Sequence, residues 1–385
     1  MTTKHKPVIA RRSSETIDPV AQLERASEPR LKFGKNNTFQ TELRRRVDAY
    51  LQSVGRPQRD CPQMYAKTAI LLVSLAVTYT LLVFFARSWW QALPLGFLLG
   101  LVMAGIGLNV QHDGGHQAYS KHPWVNKLMA MTLDLIGASS YNWHWKHVAF
   151  HHTYVNITGH DTDIDLGILA RVTPHQKHFF FHRWQQYYLW LAYGLVTIKW
   201  HLVGDFGNVI TGRIGSHRYP RPKGWEMVIF LGGKALFFTL AFVVPMLLHP
   251  PALVMAYYAA AAFAMGFSLN LVFQLAHAVE EAEFPLPSEE TGHMENAWAI
   301  HQAETTVNFA RKNRVLSWFL GGLNFQVEHH LCPKICHVNY PAITKIVEDT
   351  CREFGVTYRA HKSFWAGIVA HFLWLRKMGL PNPAE

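Results

Sequence analysis

The apolar residues of this chain are gathered into four long runs, at about 66–85, 93–110, 227–248 and 252–273. Each is about 18 residues or longer and nearly free of charge, which is enough for a helix to cross a bilayer. A short stretch with Trp89 and Trp90, side chains suited to a membrane interface, separates the first two runs. His249-Pro-Pro251 separates the last two. The pattern predicts an all-α integral membrane protein with four transmembrane helices in two hairpins. A fifth stretch, 179–200, is aromatic and fairly apolar, but Arg183, Gln185, Gln186 and Lys199 interrupt it, so it reads as an interfacial helix. If it crossed the membrane, the last histidine cluster described below would face the opposite side from the others. Lys234 lies inside the third run, where it either snorkels or faces another helix.

Outside the runs the pattern changes. Phe39, Leu43, Val47, Tyr50, Leu51 and Val54 recur at helical spacing before Gly55, with Arg44, Arg45 and Arg46 making a basic face. This predicts an amphipathic helix lying on an anionic membrane surface or on the cytosolic domain. Residues 1–36 are polar and read as a disordered cytosolic N-terminus without the apolar core of a signal peptide. Residues 37–365 then form the membrane domain, and 366–385 a C-terminal tail.

The formal net charge of +11 raises the question of nucleic acid. The cations, however, sit in the first sixty residues and beside the apolar runs, as at Arg213, Arg218, Arg221 and Lys223, while the two short turns carry only Arg87. The positive-inside rule accounts for that distribution, with no nucleic-acid partner, and places both termini and the central loop in the cytosol. Cys61, Cys332, Cys336 and Cys351 are too few for a disulfide scaffold in a chain this long and read as reduced thiols.

Three histidine clusters stand out against this background: His112-Asp-Gly-Gly-His116, His147-Val-Ala-Phe-His151-His152 and Gln326-Val-Glu-His329-His330. On a helix, residues four apart share a face, so each of the first two clusters aims a pair of imidazoles at one point. With four crossings, the second run ends at His112 and the fourth near His277, at the same membrane face. The other clusters follow in cytosolic loops on that side. Imidazoles converging from separate segments suit one or two transition metals better than a general base; iron, copper and zinc all accept them. His277 is expected to join the set. Metal-bound histidines usually donate their second N–H to a carboxylate or carbonyl, so Asp113 and Asp161 are the first candidates for that outer role among the nearby acids, which include Asp163 and Glu328. Gln326 is expected to hydrogen-bond a ligand, and His144, His160 and His337 to be structural.

Competing signatures are missing. His-Glu-x-x-His does not occur, and the inverted zinc motif would need histidine where Phe325 stands. Soluble di-iron bundles use two Glu-x-x-His pairs, and only Glu290-Thr-Gly-His293 is present. No phosphate loop or dinucleotide fingerprint appears, so reducing equivalents must come from a partner.

The HxxxH, HxxxHH and QxxHH boxes among four apolar runs resemble the membrane fatty acid desaturases, over roughly Phe39 to Tyr358. The glutamine opening the third box resembles the acyl-lipid front-end group, especially cyanobacterial delta-6 enzymes. Arg46-Val-Asp-Ala-Tyr50, His151-His-Thr-Tyr154 with Asn156, Gly159-His-Asp161 and Gly321-Gly-Leu-Asn324 are similar to it as well. The resemblance implies a cytosolic helical cap with two non-haem iron ions, held by His112, His116, His147, His151, His152, His329 and His330, with His277 as an additional ligand. It implies O2 as co-substrate and a cis double bond placed in a lipid-linked or CoA-linked acyl chain. Many front-end enzymes carry a fused haem domain with His-Pro-Gly-Gly; the nearest string here is His249-Pro-Pro251. A separate donor, ferredoxin or a b-type cytochrome with its reductase, and a bacterial inner membrane are therefore implied. Trp143, Trp145, Trp190 and Phe325 are candidate walls of an acyl tunnel. A hydroxylase on the same metal centre is the alternative enzyme. A metal transporter would want more ionisable residues in the crossings than Lys234.

Overall fold

The structure, a computed structural model, describes residues 31–381. Most of the N-terminal segment expected to be disordered therefore lies outside the described residues. Its end is ordered, because Lys32 O accepts a bond from Met294 N and Gly34 pairs with Ala297. The main helices are α1 (Thr38–Ser53), α2 (Pro62–Phe85), α3 (Trp89–Gly115), α4 (140–154), α5 (Gln185–Lys199), α6 (Trp225–Met246), α7 (Pro251–His277), α8 (Trp298–Glu304), α9 (Gln326–Leu331), α10 (Tyr340–Glu353) and α11 (Phe364–Met378). Strands are minimal: β1 (Arg213–Ile214) pairs antiparallel with β2 (His217–Arg218), and β3 (Asn308–Phe309) pairs parallel with β4 (Ala360–His361).

Among the described residues, four helices are long and apolar enough to cross a membrane: α2, α3, α6 and α7. They match the four expected runs, α2, α3 and α7 being longer than expected and α6 shifted two residues toward the N-terminus. In α3, 67% of the most apolar window is buried, against 17% in α6, so α3 is central and α6 peripheral. The outer helices present Ile70, Val73 and Val77, or Val228, Leu231 and Val243, outward. Lipid tails are as apolar as leucine, so close association of α3 with α7 needs small residues that let the backbones touch. Gly100 supplies this contact: a Cβ there would lie 2.1 Å from Ala261 O. Between the runs, α5 packs against α7 and is not one of the four spanning helices.

One local feature differs from the sequence reading, and a second selects between the alternatives it left open. The segment expected to be a C-terminal tail is largely the helix α11, whose His371, Trp374 and Leu375 are buried, with His371 Nε2 2.8 Å from Tyr193 OH on α5. Its apolar residues are spaced to cover α5 and α7, and they were too few to stand out as a run. The amphipathic α1 lays Phe39, Leu43, Val47 and Leu51 on Ile343 and Val347 of α10, so the protein covers its apolar face.

Lys234 does not snorkel. Its Nζ lies 2.7 Å from Asp205 Oδ2 and donates to Gly137 O at 2.7 Å. The Asp205 carboxylate also accepts from Ser139 N, Asn142 Nδ2 and Trp200 Nε1. This knot fixes the start of α4, where the second histidine box lies, against the third membrane helix.

Candidate metal centre

Each box is aimed by a local departure from regular helix. Just before His112, α3 widens into a π-helical turn over Gly107–Gln111. Within α4, His144–His151 is π-helical. Bonding from i to i+5 widens the turn, so positions i+4 and i+5 both return over position i. His147, His151 and His152 thereby share one face, which the α-helical spacing assumed from sequence does not allow for His152. The third box is α9, preceded by the turn at Gly321. There φ is +62°, and a Cβ would lie 2.1 Å from Leu108 O, so only glycine lets this loop press α9 against the end of α3.

The rings of all three boxes and His277 converge. His112, His116, His147 and His329 offer nitrogens within 4.8 Å of one another, as do His151, His277 and His330, and His152 reaches His329 and His330. The two sets share no residue and are bridged by the His152, His329 and His330 group. His112 Nε2 faces His147 Nε2 at 3.3 Å, and His152 Nε2 faces His329 Nε2 at 2.9 Å. Among the described residues, five buried nitrogens of these converging rings have no hydrogen-bond partner: His116 Nε2, His151 Nε2, His152 Nδ1, His277 Nε2 and His330 Nε2. Each orphan costs about 1–3 kcal/mol, which a cation accepting the lone pairs offsets. An all-imidazole set of this kind fits iron, copper or zinc.

Outer partners fix the tautomers of most rings. Asp161 holds His151 Nδ1 at 3.0 and 3.1 Å with its two oxygens, and Asp163 holds His147 Nδ1 at 3.2 Å. His277 Nδ1 donates to Thr305 O, and His330 Nδ1 to Gln302 Oε1 at 2.9 Å. His329 Nδ1 lies 3.2 Å from Tyr340 OH. Burial first, and neighbouring imidazoles second, push His116, His152, His329 and His330 well below the usual histidine range, so these rings stay neutral with lone pairs available. His151 is the exception: burial opposes protonation, but Asp161 and Asp163 outweigh it and raise its pKa.

Several sequence-based assignments change. The Asp113 carboxylate turns to His337 Nδ1 at 2.9 Å, and His337 Nε2 meets Lys67 Nζ at 2.9 Å, so Asp113 braces α2 and the loop after α9 rather than a box ring. Gln326 is buried but bonds no box ring among the described residues; Gln302 has that role, and nothing in its local sequence marked it. Glu328 bonds Asn308 Nδ2 and Tyr358 OH, facing away from the rings. The four cysteines, by contrast, are free thiols as expected. Trp143 stacks on His147 at 4.7 Å rather than walling a tunnel. The apolar cavity of about 380 Å³ lies instead among the membrane helices, lined by Leu75, Met103, Ile136, Phe237 and Tyr258, with His201 beside them. Trp145, Trp190 and Phe325 do not line it.

Comparison with known proteins follows the same lines. A family model described as fatty acid desaturase matches residues 88–362. The sn-1 linoleoyl-lipid 6-desaturase of Arthrospira platensis is 38% identical over 352 residues, covering 91% of this chain and 95% of that protein. Its counterpart from Synechocystis sp. is 38% identical over 354 residues, covering 91% and 98%. An acyl-lipid (8-3)-desaturase of Physcomitrium patens is 36% identical, covering 90% of this chain and 72% of its own.

Proposed function

The chain belongs to the fatty acid desaturase family, and from that premise we propose that it is a front-end acyl-lipid desaturase, placing a cis double bond near the carboxyl end of a lipid-linked chain. The observation that carries this reading is the pair of bridged imidazole sets at the ends of α3 and α7, next to helices that enclose an apolar cavity. In this reading two irons are held by His112, His116, His147, His151, His152, His277, His329 and His330. Bound iron supplies the O2 chemistry needed at an unactivated methylene, whose hydrogens no side-chain base can remove.

The protein's own share is positioning. Asp161 and Asp163 keep the Nδ1 protons of His151 and His147, leaving the Nε2 lone pairs to the metal. Thr305 O and Gln302 do the same for His277 and His330. Trp143, stacked on His147 and edge-on to His112, shields the rings from water. Met103, in the cavity wall, is nine residues from His112 on α3, about 13 Å of helix. A chain reacting near its carboxyl end then has its methyl-end carbons in the cavity. The site faces the cytosol of a bacterial inner membrane, and electrons come from ferredoxin or a b-type cytochrome with its reductase. Desaturation is favoured over hydroxylation because the relatives from Arthrospira platensis, Synechocystis sp. and Physcomitrium patens are named as desaturases.

Expression in a host without polyunsaturated lipids, followed by gas chromatography of fatty methyl esters, tests the reading. A new double bond near the carboxyl end is expected. No new unsaturated product, despite bound iron and a working electron donor, would count against it, and a hydroxylated product would favour the alternative.

A further inference from the structure

The segment between α5 and α6 carries no acidic residue from Phe206 to Trp225, yet it holds Arg213, Arg218, Arg221 and Lys223. The positive-inside rule accounts for the sign of this charge but not for its shape. The four cations border an open basin of about 510 Å³ with Thr211 and Tyr219. The basin is built on rigid parts: β1 and β2 pair across a tight turn, Arg221 Nη2 donates to Ile210 O at 2.7 Å, and buried Tyr219 donates to Asn142 Oδ1. Among the described residues, Arg218, Arg221 and Lys223 form no ion pair, and their side chains are exposed.

Two further observations orient the basin. It lies between Ile210 and Trp225, which are 75% and 80% exposed, and Trp225 opens the membrane helix α6. Exposed apolar side chains at a helix entrance put the cations at the level of lipid headgroups. The same hairpin is fastened to the metal centre's own loop. Ser216 Oγ donates to Gly159 O and His217 Nε2 to His160 O, each at 2.7 Å, two and one residues before Asp161. The His217 ring stacks on Phe150 at 4.3 Å and on Tyr154 at 5.3 Å, and Phe150 precedes His151.

Front-end chemistry makes this nearness informative. Carbon 6 of an ester-linked chain and the phosphorus of its headgroup are about ten bonds apart, so at roughly 1.2 Å per extended bond they are separated by about 12 Å at most. The headgroup must therefore rest within about 12 Å of the metal centre, and the basic hairpin packs on the loop and helix that carry the second box. We propose that the Arg213–Lys223 basin is the headgroup subsite, and that the acyl carrier is an anionic phospholipid. The inference rests on the desaturase reading and deepens it by naming the carrier. The flanking Ile210 and Trp225, both exposed and apolar, favour a membrane lipid over the more highly phosphorylated coenzyme A thioester.

The test uses the full-length, iron-loaded enzyme in detergent, with calorimetric dissociation constants for dioctanoyl phosphatidylglycerol, dioctanoyl phosphatidylcholine and coenzyme A. Phosphatidylglycerol is expected to bind most tightly. Each basic side chain near an anionic group contributes about fivefold in affinity, so R218Q/K223Q should weaken phosphatidylglycerol binding roughly 10- to 30-fold. R218K/K223R should retain binding, and unchanged iron content verifies that both variants are folded. Equal binding of the two phospholipids, no loss in the glutamine variant, or coenzyme A competing as well as phosphatidylglycerol would each overturn the proposal. The readout is binding, so an inactive enzyme that binds phosphatidylglycerol normally counts against the desaturase reading alone.

Discussion

Replacing Lys234 by methionine tests how the third membrane helix holds the second histidine box. The lysine is buried, and its Nζ is one of four donors to the Asp205 carboxylate, the others being Ser139 N, Asn142 Nδ2 and Trp200 Nε1. Methionine keeps the length of the chain but removes the only cation paired with Asp205 among the described residues. Breaking a buried pair from one side costs about 3–5 kcal/mol, because the remaining charge stays in a dry site. That is roughly two to four orders of magnitude in the folded-to-unfolded ratio. A second change, Asp205→Asn, removes the stranded charge and keeps an acceptor for the backbone N–H, so the double variant should recover to within about 1 kcal/mol of the wild type. Thermal unfolding in detergent, followed by size-exclusion fluorescence, measures both. Iron per protein should track stability, since Ser139 and Asn142 start the helix carrying His147 and His151. A Lys234→Met protein as stable as the wild type would show that the ammonium reaches the headgroups and that the knot contributes nothing; a double variant weaker than the single would refute the charge argument.

Asp161→Asn should lower iron affinity about 10- to 100-fold, read as iron retained against a chelator, because it disturbs the bonds to His151 Nδ1. Asp113→Asn should keep iron near the wild-type level and lower thermal stability instead, since its carboxylate serves His337; equal iron loss in the two variants would contradict this division. His277→Ala should lower iron content, because its ring joins a donor set with His151 and His330, whereas Gln326→Ala should not, because Gln326 bonds no box ring among the described residues; iron analysis of the two purified proteins decides it. Gly100→Val should cost stability at the upper end of about 1–3 kcal/mol by forcing α3 off Ala261 O, and an unchanged thermal midpoint would argue against that contact.

What the chain determined by itself was local. Runs such as 66–85 and 227–248 announce membrane helices because an apolar run long enough to span lipid must satisfy its backbone hydrogen bonds internally, as a helix does. The box spacings announce imidazole pairs because helix geometry fixes neighbours four residues apart. Asp161, ten residues from His151, was also within reach of that logic. Tertiary packing decided the rest. Which ring joins which set depends on π-helical turns and on the pressure of Gly321 against α3, neither encoded in spacing. Gln302 and Tyr340 reach their histidines only because α8 and α10 pack around α9, so neither residue carried a local signal, and Asp113 could not be assigned before His337 was placed beside it. The partner of Lys234 and the burial of α11 are likewise long-range facts. Hydrogen-bond partners distant in sequence are chosen by how helices stack, and stacking is settled by side-chain shape across the whole bundle.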